Sequence, residues 1–187
     1  MHTQLLQWDD QGDWCANTPL TVDPDLSLVL VFGGVGDTDL TSPLRSLRQL
    51  YPKAEIIGCS TAGEIRDINV TDQSLVAAAV SFEHTGVVSV AASTDAFPDS
   101  RAVGQALADQ LPTQGLRHVL LISDGLSVNA SELAQGVSEN LPRAVKVTGG
   151  LAGDGADFGT TQVIHNKIST SGVVVAAGLY GDRIHVG

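Results

Sequence analysis

The fold of this chain is decided by the stretch IGCSTAGE (Ile57 to Glu64), in which small and polar residues directly follow an apolar run. Ala54 to Cys59 has the composition of a buried strand. Gly58 and Gly63 permit backbone dihedrals that other residues avoid, and the short side chains between them let another group approach the main chain. The stretch therefore predicts a strand that ends in a loop, and the loop is either a capped turn or a binding site.

A second apolar run lies upstream and is joined to this strand by a helical segment. SLVLVF (Ser27 to Phe32) runs into a cluster of glycines, which is typical of a strand buried on both faces. Ser42 and Pro43 predict a helix start, with the hydroxyl at the cap and proline in the first turn, and Pro52 follows the helix. A strand, a helix and a strand in this order predict a right-handed parallel crossover unit.

The remainder of the chain predicts further strands and two more helices. Leu75 to Phe82 and Val87 to Ala92 are β-rich runs with a short polar link, which indicates a hairpin. The other predicted elements are helices over Ser100 to Leu111 and from a capping box at Asn129 to Leu141, and strands at Val119 to Ser123, Val145 to Thr148, Thr161 to His165, Val173 to Tyr180 and from Ile184 onward. Residues 1–25 are polar, and we expect an irregular lead-in that packs one or two tryptophans on the core.

An internal repeat connects these elements. At an offset of 90 residues Leu30 falls on Leu120, Pro52 on Pro142 and Gly63 on Gly153, and strand, helix, strand and loop keep their order. Beyond the loop the offset grows to about 97. The predicted fold is α/β, with mixed layered sheets flanked by helices and built from two pseudo-repeated β-α-β-β-β halves, about 26–94 and 116–187. On this alignment the final strand is cut short, and we expect a further domain after it.

Composition and charge restrict the classes of partner. The chain has 187 residues, 43% of them hydrophobic, which is enough for one sizeable core. Its formal net charge is -11, and no cluster of Lys and Arg is available to neutralise phosphates, so nucleic acid and anionic membranes are poor partners. The N-terminus lacks the features of a signal peptide, which predicts a cytoplasmic protein with Cys15 and Cys59 as free thiols.

The repeat indicates where a ligand would bind. It sets the loop after Cys59 and the loop at Gly149 in equivalent positions at strand ends, where open α/β sheets usually bind small molecules. Backbone N–H groups of both loops suit a carboxylate, and acidic side chains suit an ammonium group, so an amino acid is a fitting ligand. The candidate ligand-binding residues are Gly58, Cys59, Ser60, Thr61, Gly63, Glu64, Asp124, Gly125, Gly149, Gly150, Gly153 and Asp154.

Four segments carry a resemblance to a known family. IIGCSTAGEI, HVLLISDGLSVNASEL, VTGGLAGDGADFGTTQVI and GVVVAAGLYGDRIHV resemble the N-terminal FIST domain, and the resemblance extends from about Leu28 to the end of the chain. It implies a cytoplasmic sensory domain for amino acids or similar metabolites and, in some members, a haem-based sensor of nitric oxide. It also implies a C-terminal FIST domain and a signalling partner protein, neither of which is part of this sequence.

Enzymatic alternatives are weaker than the sensory one. Gly58 to Ala62 approximates the nucleophile elbow of serine hydrolases, and Ser60, Asp124 and His165 follow one another in hydrolase order. An elbow requires a helix directly after the serine, whereas Ile65 to Thr71 is rich in β-branched and short polar residues. Cys59 as nucleophile would need a base nearby. We therefore expect no enzyme, with a hydrolase as the remaining alternative.

Cofactors are not expected, with haem as the exception. The five histidines show no metal-ligand spacing. Haem requires only one axial histidine, so its binding stays open, and His165 and His84 are the axial candidates. A structural role is the common one for an isolated histidine on a strand.

Overall fold

The computed structural model describes residues 1–9, 11–16, 19, 23, 25–34, 39–72, 74–156 and 158–186. Two mixed β-sheets pack face to face, with one helix on the outer face of the first sheet and two helices on the outer face of the second. The predicted α/β class with layered sheets flanked by helices is therefore confirmed. No helix in the described ranges has the length and apolar character needed to cross a membrane.

Thirteen strands and three α-helices make up the described chain. The strands are β1 (His2–Trp8), β2 (Trp14–Ala16), β3 (Leu28–Gly33), β4 (Glu55–Cys59), β5 (Glu64–Arg66), β6 (Asn69–Thr71), β7 (Leu75–Ser81), β8 (Gly86–Ser93), β9 (Leu116–Ser123), β10 (Lys146–Leu151), β11 (Val163–His165), β12 (Ile168–Thr170) and β13 (Val173–Tyr180). The helices are α1 (Thr41–Leu50), α2 (Ser100–Gln110) and α3 (Ala130–Asn140), and a short 3₁₀ turn covers Thr94–Ala96.

The first sheet has seven strands in the order β12-β11-β4-β3-β7-β1-β2. β3 and β4 are parallel and are joined through α1, as the crossover prediction required, and every other neighbouring pair in this sheet is antiparallel. The second sheet has the order β10-β9-β13-β8, with β9 and β10 parallel and joined through α3. β5 and β6 form a two-stranded hairpin of their own.

Three apolar clusters hold these layers together. The outer face of the first sheet packs Val29, Val31 and Ile56 against Leu44 and Leu47 of α1. A second cluster lies between the second sheet and the helices α2 and α3. The third fills the space between the sheets and includes Cys59, Ile122 and Val175. Because both faces of the central strands are buried, their sequences read as continuous apolar runs.

Helix starts follow local hydrogen-bonding chemistry, with one departure from expectation. Asn129 accepts hydrogen bonds from the amides of Ser131 and Glu132, so the predicted cap of α3 is confirmed. The predicted cap of α1 at Ser42 is wrong. This helix begins at Thr41, whose amide donates to the Asp39 carboxylate at 2.9 Å, and Ser42 lies within its first turn.

The polar N-terminal segment is a part of the first sheet. We expected residues 1–25 to be irregular, but β1 pairs antiparallel with β7 from His2 to Gln7. Leu6 and Trp14 are fully buried, and Trp14 stacks edge-on against Trp8 at 5.4 Å. The physical reason is that β7 needs a partner at its second edge, and main-chain pairing supplies one almost regardless of side-chain polarity.

The predicted hairpin over residues 75–92 is wrong. β7 belongs to the first sheet and β8 to the second, so the link Phe82 to Thr85 passes between the sheets. Residues 184–186 were predicted to be a strand and are not. In the first sheet β1 pairs with β7, and in the second sheet β8 pairs with β13 in the equivalent position. The segment up to residue 94 thus contributes strands to both sheets, and the division of the chain into two halves stays a prediction.

Both sheets have the same order of connection. Along the chain, the parallel pair of each sheet, bridged by a helix, is followed by a hairpin with a two-residue turn and then by a strand antiparallel to the first strand of the pair. The turns place Asp67 at φ 55° and Asn166 at φ 59°. The hairpin β11–β12, however, extends the first sheet beside β4, although it follows the second sheet's strands in the chain. Duplication of an ancestral half remains a prediction.

Candidate functional site

The two glycine-rich loops touch each other. The amide of Gly153 donates to the carbonyl oxygen of Ser60 at 3.0 Å. A Cβ atom at Gly153 would lie 3.5 Å from the amide nitrogen of Ala62, so only small residues stand between the two main chains. The loops thus lie together as the sequence indicated, but they are in direct contact, and open space is found beside this contact.

Gly58 and Gly149 are required by close strand packing. A Cβ atom at Gly58 would lie 1.8 Å from the carbonyl oxygen of Val31, and one at Gly149 would lie 2.2 Å from that of Leu121. Both distances are far below any real carbon–oxygen contact, so each glycine lets its strand approach the neighbouring one. Gly58 therefore corresponds to Gly149, one residue away from the alignment predicted at an offset of 90.

The polar residues after β4 bond within the protein. Ser60 is buried, its hydroxyl oxygen accepts from the amide of Gln162 at 2.9 Å, and its own amide donates to the Gln162 carbonyl. Burial raises the pKa of the Cys59 thiol to about 11, so this thiol is protonated at neutral pH. These side chains fasten the loop to the strand β11.

Glu64 lies at the start of β5 and is almost completely buried. Its carboxylate accepts from the Thr61 hydroxyl at 2.5 Å and from both the amide and the hydroxyl of Ser74, at 2.9 and 2.7 Å. Gly63 allows the chain to turn here, with φ 156°. Glu64 thereby anchors the hairpin β5–β6 to the segment that leads into β7.

Asp124 lies at the end of β9 and holds three segments together. One of its carboxylate oxygens accepts from Ser127 and the Leu126 amide, and the other accepts from the Thr161 hydroxyl and the Gly172 amide, at 2.8 to 3.0 Å. Burial alone would raise the pKa of Asp124, but the hydrogen bonds from Gly172, Ser127 and Leu126 outweigh it, and the pKa is lowered.

Asp154 and Gly125 complete the predicted set. Asp154 is buried, and one of its oxygens accepts from the amides of Gly159 and Thr160 at 2.5 and 2.9 Å. The Gly125 amide donates to the Thr161 hydroxyl at 3.1 Å. The acidic residues that we assigned to an ammonium group thus all accept hydrogen bonds from the protein's own donors, which stabilise these loops.

A groove beside the loops is lined by two of the predicted residues, Gly149 and Gly150. It has a volume of about 310 Å³ and lies between α3 and the strands β9 and β10. Its other lining residues are Leu121, Ser123, Ala130, Leu133, Ala134, Val147, Thr148 and Leu151. The groove is open because β10 is the last strand of its sheet.

A serine hydrolase site is not assembled. The Ser60 hydroxyl accepts from a backbone amide, and the Asp124 carboxylate meets amides and hydroxyls. His165 lies elsewhere, with its Nε2 atom 2.8 Å from the hydroxyl of Ser89. That hydroxyl also donates to Glu55 at 2.5 Å, so these three side chains join the first sheet to the second.

The two histidines considered for haem lie in different settings. The Nε2 atom of His165 contacts the Ser89 hydroxyl and is 3.3 Å from the side-chain Nδ2 atom of Asn166, so it does not fit an axial ligand. His84 is half exposed beside Glu83 and lines a shallow surface groove, which would leave a bound macrocycle largely in water. Within the described ranges no group of three His, Cys, Asp or Glu residues could hold a metal ion.

Sequence reasoning missed most of the groove. Ala130, Leu133 and Ala134 lie within the helix predicted after Asn129, Val147 lies in a predicted strand and Leu151 in a predicted loop, and none of them was predicted to line a site. The low charge of KVTGGL (Lys146 to Leu151) does not single out this place, since Leu75–Ser81 and Gly86–Ser93 carry no charge at all.

Comparison with known proteins identifies the family. A search of curated proteins gave no match. A family profile described as the FIST N domain matches residues 27–187, a range that covers the second sheet, the first sheet except β1 and β2, the helices α1 to α3 and the groove. The connected loops GCSTAGE and GGLAGDG lie inside the matched range. The chain belongs to the FIST N domain family, a family of sensory domains.

Proposed function

We propose that this sensory domain binds a small metabolite with an apolar side chain, an amino acid or a close analogue, in the groove between α3 and β10. The observation that carries the proposal is the groove itself, which combines apolar walls with the exposed main chain of Gly149 and Gly150. Its volume of about 310 Å³ is at the small end of ligand sites, which suits a metabolite of this size.

The walls and the rim of the groove supply different interactions. Leu121, Leu133 and Val147 offer an apolar surface for a side chain. Gly149 and Gly150 leave peptide N–H and C=O groups at the free edge of the sheet, and these suit the carboxylate and the ammonium group of an amino acid. The other predicted residues, from Gly58 to Glu64 and around Asp124 and Asp154, support the loops that hold β10 in place.

Signal output is part of the proposal. The resemblance implies a C-terminal FIST domain and a signalling partner protein, and we propose these as receivers of the signal. A ligand in the groove would shift the position of β10 relative to α3, since it touches both elements. The proposal contains no catalytic step and no cofactor.

A thermal-shift screen of the standard amino acids, followed by calorimetric titration, tests the proposal. A ligand present at a hundredfold excess over its Kd stabilises the folded state by about 2.7 kcal/mol, which gives a clear rise in Tm. Ala134→Leu fills the groove and is expected to abolish that rise. Gln135→Leu changes the next, exposed residue of α3, which does not line the groove, and should bind as the natural sequence does. The proposal is wrong if no amino acid binds, or if both variants bind equally.

A further inference from the structure

The outer edge of β10 is uncovered. None of the described strands pairs with this edge, and five of the six residues of β10 are exposed. Exposed edges in natural proteins are usually protected by charges, proline or bulges. β10 has only Lys146 at its start, and apolar side chains, including the half-exposed Leu151, lie along the adjoining groove. Such an edge accepts another β-strand.

The corresponding edge in the first sheet shows what kind of element fits. β4 is the counterpart of β10, since both are parallel partners reached through a helix, and β4 is covered by the hairpin β11–β12. Beside this hairpin and α1 a space of only about 150 Å³ remains. The matching place next to α3 is the open groove of about 310 Å³. A β-hairpin is thus the element that closes an edge of this kind.

Among the described residues, the hairpin β5–β6 belongs to neither of the two large sheets. Its polar face is held by the protein: Glu64 bonds Ser74, Thr71 bonds Ser74, and Arg66 bonds Gln7. Its other face carries the cross-strand pair Ile65 and Val70, which are 72% and 71% exposed. Ile68 at the tip is 95% exposed. The hairpin therefore presents an apolar face to its surroundings.

We propose that the hairpin β5–β6 of one copy of this chain docks on the free edge and groove of β10 in a second copy. We assign the docking to a second copy because the buried Glu64 carboxylate holds each hairpin beside its own Ser74, and within the described residues the hairpin does not pair with its own β10. The docking joins two exposed apolar features, the hairpin face and the groove beside β10. Reciprocal exchange around a twofold axis gives a closed dimer with two such contacts.

Charge sets the conditions for observing the dimer. Each copy has a formal net charge of -11, so the copies repel one another at low ionic strength. The mass in solution is therefore measured by sedimentation or light scattering at about 0.15 M salt, where charges more than about 8 Å apart are screened. The buffer contains no amino acids, because a ligand in the groove would meet the hairpin at the same strand.

Two lysine variants test the two surfaces. A Cβ atom at Gly150 meets nothing within 4 Å, so Gly150→Lys charges the edge without disturbing the fold. Ile65→Lys charges the apolar face of the hairpin. Each is expected to raise the Kd of self-association at least about tenfold. Because lysine reduces the net negative charge, a general charge effect would strengthen association instead. The matched control is Ile168→Lys, which changes a 63% exposed isoleucine of the hairpin β11–β12, and it should associate normally.

Mixing the two variants gives the sharpest test. The Gly150→Lys variant keeps an intact hairpin, and the Ile65→Lys variant keeps an intact edge. A dimer of one copy of each therefore retains one of the two contacts. An equimolar mixture should associate measurably, whereas each variant alone should not. The proposal is overturned if the natural sequence stays monomeric up to submillimolar concentration. It is equally overturned if either lysine variant associates normally, or if the mixture behaves as its components do. Circular dichroism of each variant confirms that it is folded.

Discussion

The hairpins β11–β12 and β5–β6 have the same length and the same turn, yet they end in different surroundings. Ile164 in the first is completely buried, whereas Ile65 at the corresponding position of the second is 72% exposed. Asn166 in the first turn bonds Arg48, Ile56 and Glu55, all on or near α1 and β4. Local sequence thus sets the hairpin, and the available sheet edge decides whether it is buried.

Replacing these two isoleucines gives the largest expected difference. Ile164→Ala removes a fully buried side chain between the first sheet and α1, and it should lower the free energy of unfolding by about 2–5 kcal/mol. Ile65→Ala should change it by less than about 0.5 kcal/mol, because the side chain is already in water. Urea unfolding measures both. Both variants are measured at protein concentrations at which the chain is monomeric, and equal losses there would show that β5–β6 is buried within its own monomer, so the comparison would fail.

The next largest expected difference in stability is between glycine variants of β4, which is covered on both sides, and of β10, which has a free edge. Gly58→Ala forces a methyl group against the Val31 carbonyl in a strand held on both sides, and a loss of about 3 kcal/mol is expected. Gly149→Ala meets the Leu121 carbonyl, but β10 is free to move outward, so about 1 kcal/mol is expected. Gly150→Ala should be neutral within about 0.5 kcal/mol. Urea midpoints of the monomeric protein give the order, and a loss at Gly149 as large as at Gly58 would mean that β10 does not move outward as an edge strand does.

In the turn of the hairpin β11–β12, two variants of Asn166 separate the contribution of its side-chain hydrogen bonds from that of backbone strain. Asn166→Gly keeps the left-handed conformation but leaves the Ile56 amide without its side-chain acceptor, and it should cost about 1–2 kcal/mol. Asn166→Ala adds about 1 kcal/mol of strain. Thermal unfolding of the two variants side by side measures the increment. If glycine restored full stability, the bonds to Arg48 and Ile56 would carry no weight.

Acid should weaken the fold gradually through two histidines. Burial lowers the pKa of His165, against the opposing effect of Glu55, and burial also lowers the pKa of His118. The unfolded chain therefore binds protons first, and stability present above about pH 6.5 is lost as the pH falls, by at most about 1.4 kcal/mol per pH unit for each proton.

His165→Gln and His118→Gln should each flatten this decline in urea midpoints measured between about pH 7.5 and pH 5. His165 joins the two sheets through Ser89, whereas His118 bonds Thr148 in the open strand β10. An unchanged slope in both variants would contradict the assignment. Below about pH 4 the protonation of carboxylates such as Asp124, whose pKa is lowered, adds a separate loss.

Much of the fold was predictable because its strands are buried on both faces. SLVLVF and Ala54 to Cys59 are recognisable as apolar runs, and Asn129 predicts the start of α3. β1 was not predictable, because only Gln4 and Leu6 of its residues are buried and its place is set by main-chain pairing with β7. The link Phe82 to Thr85 looks like a hairpin turn, and nothing local in it tells that the flanking strands enter different sheets.

The candidate site was predictable in its location more than in its chemistry. Gly58 and Gly149 lie near the ends of β4 and β10, where each allows close packing against the neighbouring strand, so the glycines indicated the right region. The roles of Glu64, Asp124 and Asp154 depend on donors up to 48 residues away, such as the Gly172 amide, which sequence spacing does not reveal. The groove depends on the absence of a strand beyond β10, a property of the assembled sheet alone.

The crossing of β11–β12 into the first sheet has a consequence for synthesis. Arg48 and Asn166 are separated by 118 residues in the chain, so β4 has no outer neighbour until nearly the whole domain has left the ribosome. Contacts so distant in sequence form slowly. During that interval the nascent chain exposes an apolar strand edge to other unfinished chains and to chaperones. Translation rate and chaperone supply are therefore expected to affect the yield of this domain in addition to its final stability.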